Sequence, residues 1–148
     1  MPEEVRLIRH EELDQLLELY RLLHPTDPDA RENPDLRRLW EDISQDKNLF
    51  YPVVVVNGKI VSSCTLAIVK NLTRGLRPYG IIENVITHPG CRKMGYGTLA
   101  LHKAVEIARE HNCYKVMLLT GHKDEATLNF YDRAGFVRGE KTGYILHL

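Results

Sequence analysis

Two adjoining stretches decide the fold: Ile81-Ile82-Glu83-Asn84-Val85-Ile86-Thr87-His88, and then Pro89-Gly90-Cys91-Arg92-Lys93-Met94-Gly95-Tyr96-Gly97-Thr98. The first closes a β-rich run that begins at Tyr79; the second is a glycine-bearing loop. Beyond it, Leu101, Ala104, Val105 and Ala108 recur on one helical stripe, and the apolar run Lys115–Thr120 follows. Strand, helix, strand predicts a βαβ unit with a right-handed crossover and two parallel strands.

Working outward, a helix is predicted from about Asp124 to Ala134, closed by Gly135 at C′, and Gly143–Leu148 reads as a last strand. Upstream, Phe50–Val56 and Lys59–Val69 flank Asn57-Gly58, whose residues favour the positive φ angles of a type I′ hairpin turn. Val5–Arg9 reads as a short strand. Leu13, Leu16, Leu17 and Tyr20 give His10–Leu23 one helical face. Three prolines in His24–Pro34 end that helix, and helical spacing resumes with Leu36, Leu39, Trp40 and Ile43. The expected fold class is α/β: a mixed central sheet, antiparallel in its N-terminal strands, with a parallel βαβ core and flanking helices.

At 148 residues, the expectation is one domain spanning 1–148. Apolar residues at 43% and charged residues at 27% are an ordinary globular balance. Twenty basic against twenty acidic residues give zero formal charge, which sets nucleic-acid binding aside, because phosphate neutralisation needs a basic excess. The longest mainly apolar stretch, Pro52–Val56, falls far short of the roughly 20 residues of a membrane helix. Met1-Pro2-Glu3-Glu4 has no basic n-region before an apolar run, so a cytoplasmic location is expected. Cys64, Cys91 and Cys113 have no CxxC spacing and the histidines form no HExxH, so neither a disulfide framework nor a metal site is expected.

The chemistry concentrates in Arg92–Thr98. Two glycines one residue apart let several N–H groups turn into one concavity, backed by a helix N-terminus with its own unpaired amides and positive dipole end. Such a loop suits a diphosphate or another dense anion, although glycines also simply turn chains. A P-loop is excluded, because Gly90 and Gly95 are followed by Tyr96-Gly97 and not by Lys-Ser/Thr. Gly95-Tyr96-Gly97-Thr98-Leu99-Ala100 matches GxGxxA, but Pro89–Met94 separate it from its strand and no acidic residue stands at the ribose position.

Arg92-x-x-Gly95-x-Gly97 between a strand and a helix resembles the Q/R-x-x-G-x-G/A loop of the GCN5-related N-acetyltransferase (GNAT) superfamily. Asn129-Phe130-Tyr131-Asp132-Arg133-Ala134-Gly135-Phe136 is similar to that family's Tyr-containing helix, more compactly spaced, and the likeness covers about Ile81–Leu148. The resemblance implies acetyl-CoA as co-substrate and no metal. Its diphosphate would meet the amides of Arg92, Lys93, Met94, Gly95, Tyr96, Gly97 and Thr98. The pantetheine arm would pair with Val85, Ile86 and Thr87, with Asn129 as a further contact.

Chemistry then sets requirements. An ammonium with a pKa near 10 must lose a proton before it attacks, and the leaving thiolate benefits from a proton donor. By resemblance Glu83 is the candidate base, directly or through a water, and Tyr131 the candidate acid. A strand carboxylate is equally a surface ion-pair partner, and an aromatic beside Phe130 and Phe136 is equally a core residue. A backbone N–H near Val85 is the expected oxyanion donor.

Ile82-Glu83-Asn84-Val85, Cys113-Tyr114-Lys115-Val116 and Phe130–Phe136 resemble the glucosamine-6-phosphate N-acetyltransferase branch. That branch has an acidic residue where this chain has Leu119-Thr120-Gly121, followed by His122-Lys123-Asp124-Glu125. Arg74–Arg77, Lys123 and Arg133 are candidate sugar-phosphate contacts. The expected function is acetyl transfer to a small-molecule primary amine, by direct attack in a ternary complex. The competing readings are a non-catalytic coenzyme-A-binding or sensing module and a peptide or protein N-acetyltransferase. His24–Pro34 and the helix beside it are expected on the acceptor side. A homodimer is a further expectation from the resemblance.

Overall fold

The computed structural model describes residues 2–148; Met1, the first residue of the expected domain, lies outside them. Strands β1 (Glu3–Leu7), β2 (Leu49–Phe50), β3 (Pro52–Val56), β4 (Lys59–Val69), β5 (Tyr79–Thr87) and β6 (Val116–Leu118) form one sheet ordered β1-β3-β4-β5-β6, with β2 also paired to β4. Helices α1 (Leu13–Leu23), α2 (Leu36–Gln45), α3 (Tyr96–Glu110) and α4 (Glu125–Arg133) flank it. Among the described residues only β5 and β6 run parallel, joined through α3 as the strand–helix–strand reading requires.

The hairpin turns at Asn57 (φ 53°) and Gly58 (φ 75°), the left-handed pair a type I′ turn demands. Gln15 of α1 clips it: Nε2 donates to the Gly58 carbonyl (3.3 Å) and Oε1 accepts from the Ile60 amide (2.8 Å). The first arm is interrupted at Tyr51, whose carbonyl accepts from Ile8 N (2.9 Å), and β3 then starts on Pro52, a strand position that needs no N–H. One face of the sheet packs Val54, Val61, Cys64, Leu66 and Ile82 against Ala100, Leu101 and Ala104 of α3. The other face packs Val53, Val55, Ile60 and Ile86 against Leu19 of α1.

α2 is anchored by Trp40, whose Nε1 donates to the His10 carbonyl (2.9 Å) and whose ring meets Tyr51 edge-on at 5.9 Å. At the N-terminal corner Arg6 grips Glu12 with two hydrogen bonds (2.8 and 2.9 Å), which hold the Glu12 carboxyl below its ordinary pKa.

Two expectations need correction. The strand predicted over Lys115–Thr120 shrinks to Val116–Leu118, because β5 offers a partner only as far as Ile82. Gly143–Leu148 forms no strand. The tail passes β6 closely enough that a Cβ on Gly143 would lie 2.7 Å from Leu119 Cδ2, yet no ladder forms and Tyr144, Ile145 and Leu146 are 76–90% exposed. Tyr144 and Ile145 favour strands, but residue preference alone supplies no hydrogen-bonding partner.

Candidate active site

The site is built on a fault in the sheet. Ser63 pairs with Ile86 and Thr65 with Glu83, so Cys64 faces two residues, Asn84 and Val85. That bulge bends β5 and leaves backbone groups unpaired. Asn84 takes φ 52°, a left-handed conformation that asparagine tolerates better than most residues.

Below the bulge β5 is paired on both edges: β6 meets Gly80, Ile81 and Ile82. Beyond Ile82 the β6 side stays open while β4 continues to pair as far as Thr87. Backbone direction alternates along a strand. His88 N donates to Val61 O (2.8 Å) and Ile86 O accepts from Ser62 Oγ (3.1 Å), so His88 and Ile86 are turned toward β4. Val85 and Thr87 therefore present their N–H and C=O to the open edge. Of the three backbone positions expected there, Ile86 is the one turned away.

At the end of that edge lies the loop. His88 closes a short 3₁₀ turn by accepting the Gly90 amide on Nδ1 (3.0 Å), and Lys93 and Gly95 adopt φ 65° and 83°. Among the described residues, none of the amides from Arg92 to Thr98 donates to a backbone or side-chain acceptor; Leu99 N is the first to bond, to Gly95 O (3.1 Å). Left-handed residues that turn successive N–H groups outward, backed by a helix start, make an anion-binding concavity. The two glycines differ in purpose. Gly95 supplies the positive φ, whereas a Cβ on Gly97 would lie 2.9 Å from Phe130 Cζ and 3.2 Å from Thr87 Oγ1. Gly97 lets α3 begin flush against α4 and the end of β5.

α4 carries Tyr131 to the same place. Asp124 caps the helix by accepting Thr127 N (3.0 Å), and His102 Nε2 lies 3.1 Å from the Ala134 carbonyl at its far end. Tyr131 is half-buried between Phe130 (4.9 Å) and Phe136 (6.4 Å), both edge-on to it. Burial, then the Cys64 thiol, then the Glu83 carboxylate push its phenol above the ordinary pKa, so it keeps its proton at neutral pH. Glu83 and Tyr131 thus lie within electrostatic reach of each other. Glu83 is exposed on the strand beside the bulge, and Asn129 is exposed on α4.

Two residues that sequence reasoning left out belong here. Among the described residues, the Tyr20 and Thr65 hydroxyls are shielded from solvent and meet no partner with hydrogen-bonding distance and geometry, although they lie near each other. Such buried orphans cost roughly 1–3 kcal/mol each and call for a reason. Thr65 stands opposite Glu83, and the Tyr20 phenol, pushed up to about 12 chiefly by burial, lies near Thr65 and Asn84. Tyr51 also faces Thr65. The only trace in the sequence is Tyr20 at the end of a helical stripe.

Several candidates prove structural. Arg77 donates to the carbonyls of Asn112 (3.1 Å) and Cys113 (3.0 Å), Arg74 stacks over Tyr114 at 5.6 Å, and Asp124 is occupied as a cap. Lys123 and Arg133 are exposed. Burial raises the Cys64 thiol to about 12, leaving it inert. Among the described residues, no group of three or more His, Cys, Asp or Glu side chains is placed to hold a metal, and no helix is long and apolar enough to cross a membrane. A cleft of about 500 Å³ between α1 and α2, floored by Trp40 and edged by His10, Arg31 and Arg37, includes part of the predicted acceptor side.

Residues 14–136 match the acetyltransferase (GNAT) family model. Over 84 residues the chain is 39% identical to glucosamine 6-phosphate N-acetyltransferase of Trypanosoma brucei brucei, covering 57% of this chain and 55% of that protein. The chain thus spans about half the length of that curated relative. A solved structure from Agrobacterium tumefaciens str. C58 superposes with a TM-score of 0.91 at 41% identity, over 98% of this chain and 99% of that one. A Trypanosoma brucei acetyltransferase structure gives 0.82 at 31% identity, over 99% and 100%.

Proposed function

The chain belongs to the GNAT acetyltransferase family, and from that premise we propose that it moves an acetyl group from acetyl-CoA to the primary amine of a small amino sugar, by direct attack in a ternary complex. The observation that carries the reading is the row of unengaged amides from Arg92 to Thr98, placed where the open edge of β5 ends. The residues fit the carrier: amides and a helix start for a diphosphate, then Thr87 and Val85 for an amide-bearing arm that pairs like an added strand. Asn129, exposed on α4, is a further contact in this reading.

The carrier supplies an acyl thioester, and this chain's residues do the rest. With its diphosphate held by the 92–98 amides at the start of α3, the acyl end would reach along the open edge of β5 toward the bulge. There Val85 N–H faces the open edge and stabilises charge growing on the carbonyl oxygen, a contribution of about 3 kcal/mol for such donors. Glu83 lies on the α1 face beside Thr65 and accepts the ammonium proton, directly or through one water. Tyr131, on the α4 side, keeps its proton and donates a hydrogen bond to the departing sulfur. The acylated nitrogen sheds its second proton as the thiolate gains one, so one proton leaves to solvent overall.

The amino-sugar assignment draws on the trypanosomal relative's name and on the Ile82–Val85 and Phe130–Phe136 runs. Lys123 and Arg133 are then the remaining exposed cations for a sugar phosphate. We also propose a homodimer in which the exposed Tyr144–Leu148 tail of each protomer pairs with the free edge of its partner's β6. Light scattering of the chain, and of a version ending at Gly143, tests it: the dimer is expected to become a monomer, and a monomer in both overturns it.

The deciding experiment screens amino sugars, amino acids, polyamines and peptides for acetyl-CoA-dependent thiol release. Amino-sugar turnover is the expected result. Peptide turnover alone favours a peptide acetyltransferase, and tight acetyl-CoA binding with no turnover favours a sensing module.

A further inference from the structure

The bulge gathers more unpaired polar groups than acyl transfer requires. The thioester carbonyl takes a backbone donor on the open edge, and the amine nitrogen takes Glu83. The Tyr20 and Thr65 hydroxyls remain, from α1 and β4, on the sheet face that carries Glu83. Both oxygens are shielded from solvent, Thr65 is 9% exposed, and the exposed Asn84 side chain lies within reach of the Tyr20 phenol.

The chemistry of the pair is selective. An amine placed against Glu83 needs only an acceptor. A hydroxyl needs both an acceptor for its proton and a donor for its lone pair. Tyr20 remains a phenol at neutral pH and serves as the donor, and Thr65 can accept. An alkyl neighbour of the amine would leave both oxygens orphaned, as they are in the free protein. We propose that Tyr20 and Thr65 form a hydroxyl-reading subsite, displacing the Asn84 side chain to hold the hydroxyl on a carbon next to the reacting amine, and so select vicinal amino alcohols as acceptors. The inference rests on the acyl-transfer reading above and adds the specificity residues to it.

The test compares kcat/KM of the full chain, with saturating acetyl-CoA, for glucosamine 6-phosphate and its 1-deoxy and 3-deoxy counterparts. Removing one of those hydroxyls is expected to lower kcat/KM by ~10- to 100-fold. In Tyr20→Phe and Thr65→Val the same comparison is expected to shrink to within about threefold, and in Thr65→Ser to persist. Equal kcat/KM for all three amines in the unaltered chain overturns the subsite and leaves acyl transfer standing; that arm needs no variant to fold. Undiminished discrimination in folded Tyr20→Phe and Thr65→Val overturns it too. Binding of acetyl-CoA without acetylation of any of the three amines overturns the amino-sugar reading, and the subsite with it.

Discussion

β4 pairs across a bulge on each side, one in its own strand and one in β5, and the two are opposites. Toward β3, Val54 pairs with Ser62 and Val55 with Ile60, leaving Val61 as the extra residue. Val61 is 5% exposed in the apolar core, and its carbonyl accepts His88 N. Toward β5, the doubled residues are Asn84 and Val85; Asn84 is exposed and left-handed, and two orphaned hydroxyls lie nearby. The first irregularity is absorbed by packing. The second keeps polar groups unspent, which is where an α/β fold under ordinary packing pressure has a reason to tolerate strain.

The contrast can be broken most forcefully at Glu83. Glu83→Gln is expected to lower kcat by about 10²- to 10⁴-fold with acetyl-CoA affinity unchanged, as read by steady-state kinetics and calorimetry. An unaltered kcat would remove chemistry from the β5 bulge.

Acid provides the next test, remote from both bulges. Glu12 titrates below its ordinary value because Arg6 holds it, so its stabilisation is present above about pH 4.3 and is lost as pH falls through the lower folded-state value. Glu12→Gln is expected to cost about 2–3 kcal/mol at pH 7 and to flatten the acid limb of a denaturation series. An unchanged acid limb would relocate the acid-sensitive group.

Val61→Ala, at the packed bulge, should cost about 2 kcal/mol in urea unfolding while kcat stays within twofold. Smallest of all, Asn84→Ala should cost about 1 kcal/mol and Asn84→Gly less, because only glycine takes φ 52° freely. Equal costs for the two would mean that φ is not what Asn84 is chosen for.

The sequence exposes what is local. Asn57-Gly58 announces the hairpin, Leu101, Ala104 and Ala108 announce α3's buried stripe, and Asp124 with Gly135 brackets α4. Longer-range facts are hidden. Leu39 fits a helical stripe but is 56% exposed, because α2 docks through Trp40 alone among its buried residues. Ile86 faces β4 only because of the register set across the bulge. Tyr20 and Thr65 are 45 positions apart and belong to different periodic patterns, so no motif search joins them. The tail reads as a strand because residues such as Tyr144 and Ile145 favour one, and that preference says nothing about whether an edge is within reach.

In the proposed mechanism everything depends on the amides of residues 92–98 holding the diphosphate of acetyl-CoA. That contact is tested most directly by titrating the ¹⁵N-labelled chain with acetyl-CoA and, separately, with acetyl-pantetheine, which lacks the diphosphate. The amide resonances of Arg92–Thr98 are expected to move most with the full carrier and to stay nearly still with the fragment, while Val85 and Thr87 respond to both. Saturable binding that leaves the 92–98 amides unmoved would contradict it.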